Sequence, residues 1–326
     1  MSSASSLPYR LRPNKAVDRE LFLNLLGRLG AALKIESYRY VGLGGPFLED
    51  FRLIHARLGL SDLVCVESVE AVHRRQEFNR PVNCIKCVHE TLDDYIDGAE
   101  FDKPVIIWFD YTDPGAMTNQ IERFAQAVSE VPLNSVLRIT LNANPSSLGK
   151  PDPDEVATPL DPDSNLPTEK DWRLSRFKER MGQLFPSGLS ADGMTFKRFG
   201  GSVLEALSLA VDGEVLKLPD RKIIWALATH YADGQPMVTA TLIVTDSTEV
   251  ELEALIGEWQ FASKPEAPLK LDMPALSTLE RLTMETDPDP KVKMGYKLPK
   301  SDMGEDPFDA FRQFYRMYPH FARVDL

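Results

Sequence analysis

Along the first half of the chain, short apolar runs alternate with stretches in which apolar residues return every three or four positions. Residues 38–41 form an aromatic and β-branched run that suits a buried strand. Gly42-Leu43-Gly44-Gly45-Pro46 follows; its glycines allow positive φ and close backbone approach, and Pro46 is pre-set for a first helical turn. Phe47, Phe51, Ile54 and Leu58 then recur at helical spacing until Gly59 ends the run. The same order is predicted for a strand at 62–67 with a helix at 69–79, and for a strand at 83–88 with a short acidic helix. It recurs with a strand at 105–109 and a helix at 118–131, before a fifth strand at 135–141. Strand-then-helix units in series predict an α/β protein with a doubly wound, mostly parallel sheet. Ahead of them, 1–13 reads as an arm and 16–33 as a helix striped by Val17, Leu21, Leu25 and Leu29, with Asn14 as its cap.

Beyond residue 144 the pattern changes. Residues 145–170 hold six prolines and several aspartates with almost no apolar periodicity, which predicts a mobile loop or lid. Helical patterns follow at 171–184 and 202–210, then strands at 222–231 and 237–246 around Ala232-Asp233-Gly234-Gln235-Pro236, a hairpin signal. From 250 on, no strand pattern is visible. Ser277-Thr278-Leu279-Glu280 is a capping box opening a short helix, and 306–318 is a helix with Phe308, Phe311, Tyr315 and Tyr318 on one face. The expected organisation is an N-terminal arm and helix (1–34), a sheet domain (35–250) and a helical C-terminal extension (251–326).

The first crevice carries the candidate chemistry. A strand, a glycine turn and a helix make a nucleotide-sized cleft at a strand's carboxyl end. A dinucleotide fingerprint fails because Phe47 stands at its third glycine position, and no P-loop lysine is present. Glu49 and Asp50 fall in the first turn of the following helix, where they suit its dipole but would repel a pyrophosphate. A ligand with an adenosine and no phosphate avoids that repulsion, and S-adenosylmethionine is one; a tight turn without any ligand is the plainer reading. Glu67 ends the second strand 25 residues after Gly42, about where a βαβ nucleotide fold places a carboxylate for ribose hydroxyls.

Charge and cysteines narrow the setting. The net charge is −12, yet residues 1–80 hold twelve Lys and Arg against nine Asp and Glu. Overall acidity disfavours non-specific tracking of nucleic acid, with a local basic path through Arg10, Arg12, Lys15, Arg74 and Arg75 as the counter-reading. Three cysteines, no visible signal peptide and no long apolar run point to a reducing, cytoplasmic location without a membrane span. Cys84-x-x-Cys87 with His89 has metal-like spacing, but on a strand such positions face opposite sides, so small core residues are expected and no metal. His55 and His73 fall within predicted helices and read as surface or packed residues.

YVGLGG, LVCVES and WFDYTDP, with the closing hairpin, carry a resemblance. Across residues 35–246 the chain resembles the Class I S-adenosylmethionine-dependent methyltransferases, in tone the bacterial O-methyltransferases among them. That resemblance implies a seven-stranded sheet whose last strand is antiparallel, and S-adenosylmethionine as cofactor. It implies that Gly42, Gly44 and Gly45, with Pro46, line the methionine part, that Glu67 and Ser68 lie at the ribose, and that Glu90 sits near the adenine. It places Asp110 and Tyr111 beside the methyl group and the substrate, as the catalytic candidates. Two departures stand out: Tyr40 replaces the usual acid two residues before the first glycine, and Pro46 displaces the third glycine. The amino-methyltransferase signature is not formed by Asp110-Tyr111-Thr112-Asp113-Pro114, which argues against base N-methylation.

Several readings stay open at this level. Asp110 is either the base that takes the acceptor's proton or a cap for the next helix, a role Asp113 could fill instead. Asp110, Asn142 and Asn144 could together bind a hard cation, although asparagines before a proline form turns more often. The acceptor is a small molecule or a protein, and the C-terminal aromatic helix is core or a contact for a second copy or partner. A non-catalytic adenosyl-binding subunit and a nucleic-acid methyltransferase are the alternatives to transfer onto oxygen.

Overall fold

The structure, a computed structural model, describes residues 12–111, 113–152, 154–157, 166–300 and 303–317. Its centre is five parallel strands: β1 (Arg39–Gly42), β2 (Asp62–Val66), β3 (Ile85–Val88), β4 (Val105–Asp110) and β5 (Val136–Asn142). A hairpin of β6 (Arg221–Ala232) and β7 (Pro236–Asp246) completes the set, with β7 inserted antiparallel beside β5. The Asp-Gly turn between them bends where the sequence predicts, with Gly234 at φ 87°. An eighth strand, β8 (Leu269–Leu271), pairs in parallel with β6, giving the order β3-β2-β1-β4-β5-β7-β6-β8. Seven strands were expected; three residues are too short for a periodicity to show.

Alternation along the strands divides the molecule into two cores. Val238, Ala240, Leu242 and Val244 of β7 join one apolar cluster, while Thr239, Thr241 and Thr245 point the other way. On the valine side pack α4 (Leu92–Gly98), α5 (Met117–Glu130), α6 (Glu169–Met181) and α7 (Phe199–Val215). On the threonine side lie α1 (Pro13–Leu29), α2 (Glu49–Leu58) and α8 (Glu251–Gly257). With them pack α9 (Thr278–Thr286) and α11 (Pro307–Phe314). Helix α3 (Glu70–Asn79) packs against β3 and the turn after β1, and the short α10 (Pro290–Met294) follows α9. No described helix is long and apolar enough to cross a membrane.

Residues after 250 share the core of α1 and the sheet. Trp259, Phe261, Leu271, Met273, Phe308, Phe311 and Phe314 are all buried there. On the aromatic face of α11, Phe308, Phe311 and Phe314 are buried in this chain's own core, and Tyr315 is the exposed ring. Tyr318 lies outside the described residues. The capping boxes are formed: Ser277 accepts from the Glu280 N–H at the start of α9, and Thr168 does the same with Asp171 at α6.

Several boundaries move for local reasons. Helix α1 runs from Pro13 to Leu29 rather than over 16–33, because Pro13 supplies its first turn and the chain turns at Gly30. Asn14 is consequently not the cap. Its side-chain amide donates to the Ala232 carbonyl at 2.8 Å and its oxygen accepts from Met273 N–H at 2.7 Å, tying α1 to the sheet edge. The stretch expected to be a loose loop starts as a packed turn, with Pro145 and Leu148 buried and the Ser147 carbonyl held by Arg180 at 3.1 Å. Residues 153 and 158–165 of that stretch lie outside the described residues.

Beneath α1 is a buried ionic knot. Arg138 of β5 and Asp18 of α1 are both fully inaccessible, and Arg138 Nη2 donates to Asp18 Oδ2 at 2.6 Å. Arg138 Nη1 also donates to Thr241 Oγ1 at 2.8 Å. The hydroxyls of Thr229 and Thr239 donate to Asp18 Oδ1 at 2.7 and 3.0 Å. The guanidinium lies 4.6 Å from the Phe22 ring centroid and 4.7 Å from that of Trp108. Buried charge is tolerable only when paired and hydrogen-bonded in this way.

Candidate functional site

Strand order reverses between β1 and β4, and Gly42 and Asp110 end those two strands. Open α/β sheets bind ligands at such a switch point, outside the carboxyl ends of the strands. Gly42 pairs in register with Trp108, so Asp110 stands two residues further out on the face shared by Tyr40, Trp108 and α1.

The glycine turn is shaped from below and from the side. Gly45 adopts φ 52° within a short 3-10 turn, and Leu48 follows at φ 54° before α2 begins. A Cβ on Gly44 would come within 2.6 Å of Leu48, 2.8 Å of Cys65 and 2.9 Å of Phe51. Gly44 is thus demanded by the packing under the turn, and a larger side chain there disturbs the core before it touches any ligand. Helix α3 holds the outer side: Gln76 Nε2 donates to the Gly45 carbonyl at 3.1 Å and Asn79 Nδ2 to that of Pro46 at 2.7 Å. Phe47 remains half-exposed with the Arg75 guanidinium 5.6 Å from its ring centroid.

Glu67 leaves the end of β2 half-buried, and its Oε1 accepts from the Val69 N–H at 2.8 Å. Ser68 is exposed and its carbonyl lies 3.1 Å from His89 Nε2; His89 in turn stacks on His73 with ring centroids 5.2 Å apart. Glu90 is half-buried just beyond β3.

Asp110 and Tyr111 separate. The Tyr111 hydroxyl donates to Asp93 Oδ1 at 3.0 Å and its ring packs with Phe109, on the α4 and α5 side of the sheet. Burial, and then Asp93, push the Tyr111 phenol well above its ordinary value, so it stays protonated. Asp113 caps the next turn by accepting from Gly115 N–H at 2.8 Å, which leaves Asp110 outside that role. Asn144 caps its own turn by accepting from Ser146 N–H at 3.0 Å. Among the described residues no group of three His, Cys, Asp or Glu side chains could hold a metal. Cys65 is buried, Cys84 and Cys87 are half-buried, and Cys84 Sγ lies 3.6 Å from His55 Nδ1.

On the same side of the sheet as Tyr40 and Trp108 packs α1, whose Arg19 the sequence pattern did not single out. Arg19 Nε donates to Asp50 Oδ1 at 2.7 Å, both side chains being almost inaccessible, and the Arg19 guanidinium lies 5.1 Å from the Trp108 ring centroid. Lys15 stands one turn earlier on the same helix. Asp233 of the hairpin fixes its backbone, accepting from Lys15 N–H at 2.8 Å. Burial pushes the Lys15 ammonium below the usual lysine value; Asp110 opposes this most strongly among the neighbouring charges, followed by Asp50. Burial also drives the phenols of Tyr40 and Tyr231 far up, with Asp110 adding to both, so these rings present neutral hydroxyls to the cluster. Arg74 pairs with Glu70, Arg75 lies over Phe47, and Arg10 is outside the described residues.

The family model described as "Putative O-methyltransferase" matches residues 7–326. The chain belongs to this family. As a methyltransferase it has the mostly parallel sheet with an antiparallel last strand of the seven, β7, that the family resemblance implied. Among solved structures, Trm1 from Pyrococcus horikoshii with S-adenosyl-L-methionine is similar at 11% identity and a TM-score of 0.44, over 92% of this chain and 75% of that one. A "putative O-methyltransferase" from Klebsiella pneumoniae is similar at 11% identity and a TM-score of 0.36, over 71% and 80%. The plantazolicin methyltransferase BamL, in complex with a substrate analogue and SAH, stands at 12% and 0.36, over 70% and 84%. At such values these likenesses add nothing to what the strand order shows. No curated protein matches the methyltransferase's sequence.

Proposed function

We propose that this methyltransferase binds S-adenosylmethionine across the ends of β2, β1 and β4 and passes its methyl group to an oxygen acceptor, with Asp110 as base or orienting group. One arrangement supports the reading: Glu67 directly follows β2, and Gly42 and Asp110 end β1 and β4, three adjacent strands at the point where the strand order reverses. The donor set suits an adenosyl ligand. A carboxylate has about four lone-pair sites, so Glu67 keeps capacity for ribose hydroxyls beside its bond to Val69. Ser68 and the half-buried Glu90 extend the same rim toward an adenine, and Gly42, Gly45 and Pro46 leave the turn without a protruding side chain. Nothing in the turn is built for a phosphate, since Asp50 occupies the start of α2 and is already matched by Arg19.

The cofactor would supply an activated methyl group on a sulfonium. The chain's own residues supply position and proton handling: Asp110 accepts the proton of the acceptor oxygen, and Trp108, Tyr40 and α1 wall that place from water. The Tyr40 hydroxyl lies 3.0 Å from where a Cβ of Gly42 would stand. The departure at this position therefore puts a neutral polar group under the turn in place of an acid.

Glu67→Ala tests the ribose assignment. A charge-assisted hydrogen bond is worth about 1.5–3 kcal/mol, so affinity for S-adenosylhomocysteine should fall roughly ten- to a hundredfold in calorimetry. Unchanged affinity would show that Glu67 serves only its own turn.

A further inference from the structure

We infer that Gln76 and Asn79 of α3 are positioning residues that hold the glycine turn in its ligand-accepting shape and so set the affinity for the adenosyl cofactor. This rests on the reading of the crevice as the cofactor's site. Gln76 is wholly buried, and its Nε2 donates to the Gly45 carbonyl at 3.1 Å; Asn79 Nδ2 donates to the next carbonyl, that of Pro46, at 2.7 Å. Three residues apart, the two amides share one face of the helix. The helix is itself tied to the neighbouring strand ends. The Val69 N–H at its start donates to Glu67 Oε1 at 2.8 Å, and His73 stacks on His89 with ring centroids 5.2 Å apart. One element therefore joins the loops that follow β1, β2 and β3.

The turn needs such a hold. Leu48 lies at φ 54°, in the left-handed region that suits glycine, and Gly45 at φ 52°. Strained backbone of this kind persists only where its surroundings over-determine it. A peptide unit is planar, so fixing its carbonyl fixes the whole plane: with the Pro46 oxygen on α3, the Phe47 N–H faces the opposite way. Neither oxygen is then free to swing inward across the ligand's place. Stability alone does not explain an amide at position 76. Gln76 Oε1 is buried with no hydrogen-bond partner among the described residues, and an unmatched buried acceptor destabilises the fold. An apolar side chain of the same length would pack there without that penalty, so the gain from Gln76 lies in the carbonyl it holds.

Calorimetry with S-adenosylhomocysteine and melting of the ligand-free proteins test this together. Gln76→Met keeps the length and removes the donor. Its affinity should fall about three- to tenfold, the scale of one hydrogen bond, while its melting temperature stays within about 2 °C of wild type or rises. Asn79→Leu should lose affinity to a similar extent, and Asn79→Gln, which keeps a donor, should lose less. Phe78→Ala, at a 91% exposed ring on the same helix, should leave both quantities unchanged. Unchanged affinity in Gln76→Met and Asn79→Leu would overturn the inference. So would equal losses in Asn79→Gln and Asn79→Leu, or a loss in Phe78→Ala as large as theirs, which would mean a general loosening of α3. If Gln76→Met does not fold, the Asn79 variants decide by the same readings. A folded wild-type protein that binds no S-adenosylhomocysteine would instead contradict the cofactor reading itself.

Discussion

Arg138→Met should cost the folded protein about 3–5 kcal/mol, and Asp18→Ala about the same, because each leaves an uncompensated charge in a fully inaccessible place. Against a typical total of about 5–15 kcal/mol, that is enough to unfold a marginal domain at moderate temperature. Arg138 also loses its hydrogen bond to Thr241, and Asp18 those from Thr229 and Thr239, so neither single variant leaves the threonines matched. The double variant Asp18→Leu with Arg138→Met removes both charges and should lose clearly less than the two single losses added together. Chemical denaturation of the four proteins measures this. A single-variant loss under about 1 kcal/mol would mean that water reaches the pair. The knot ties α1 to β5, one turn after the residues that hold α1 to the hairpin tip.

Asp110→Asn should reduce methyl transfer by roughly a hundredfold or more, the usual scale for a positioned base, because the amide keeps size and polarity but takes no proton. Cofactor affinity should stay near wild type, since Glu67 and the glycine turn are untouched. Stability should also hold, because Asp113 and not Asp110 caps the turn that follows β4. Steady-state kinetics with thermal melting of the same sample separates the outcomes. Retained transfer with a lowered melting temperature would make Asp110 a structural residue.

Much of the fold is legible in the sequence because its signals are local. The run at 105–109 is continuously apolar because β4 is buried on both faces, and the Asp-Gly turn at 233–234 announces the hairpin. What escapes is set by partners distant in sequence. Arg138 sits in an apolar strand and Asp18 in an amphipathic helix, 120 residues apart, and neither pattern hints at the other. Lys15 looks like part of a basic stretch, and nothing local hints that Asp233, 218 residues away at the hairpin tip, holds its backbone. Gly44 shows the opposite case: its spacing reads as room for a ligand, whereas Leu48, Cys65 and Phe51 beneath it already require a glycine. Tyr111 follows Asp110 directly, yet strand alternation sends its hydroxyl to Asp93 on the far side.

The central claim is an adenosyl site at the ends of β2, β1 and β4, and calorimetric titration of the wild-type protein with S-adenosylhomocysteine tests it most directly. The account predicts saturable binding of one ligand per chain at micromolar concentration, about −8 kcal/mol. A folded protein that gives no binding heat at about millimolar ligand, over temperatures that rule out a chance zero of enthalpy, would contradict it.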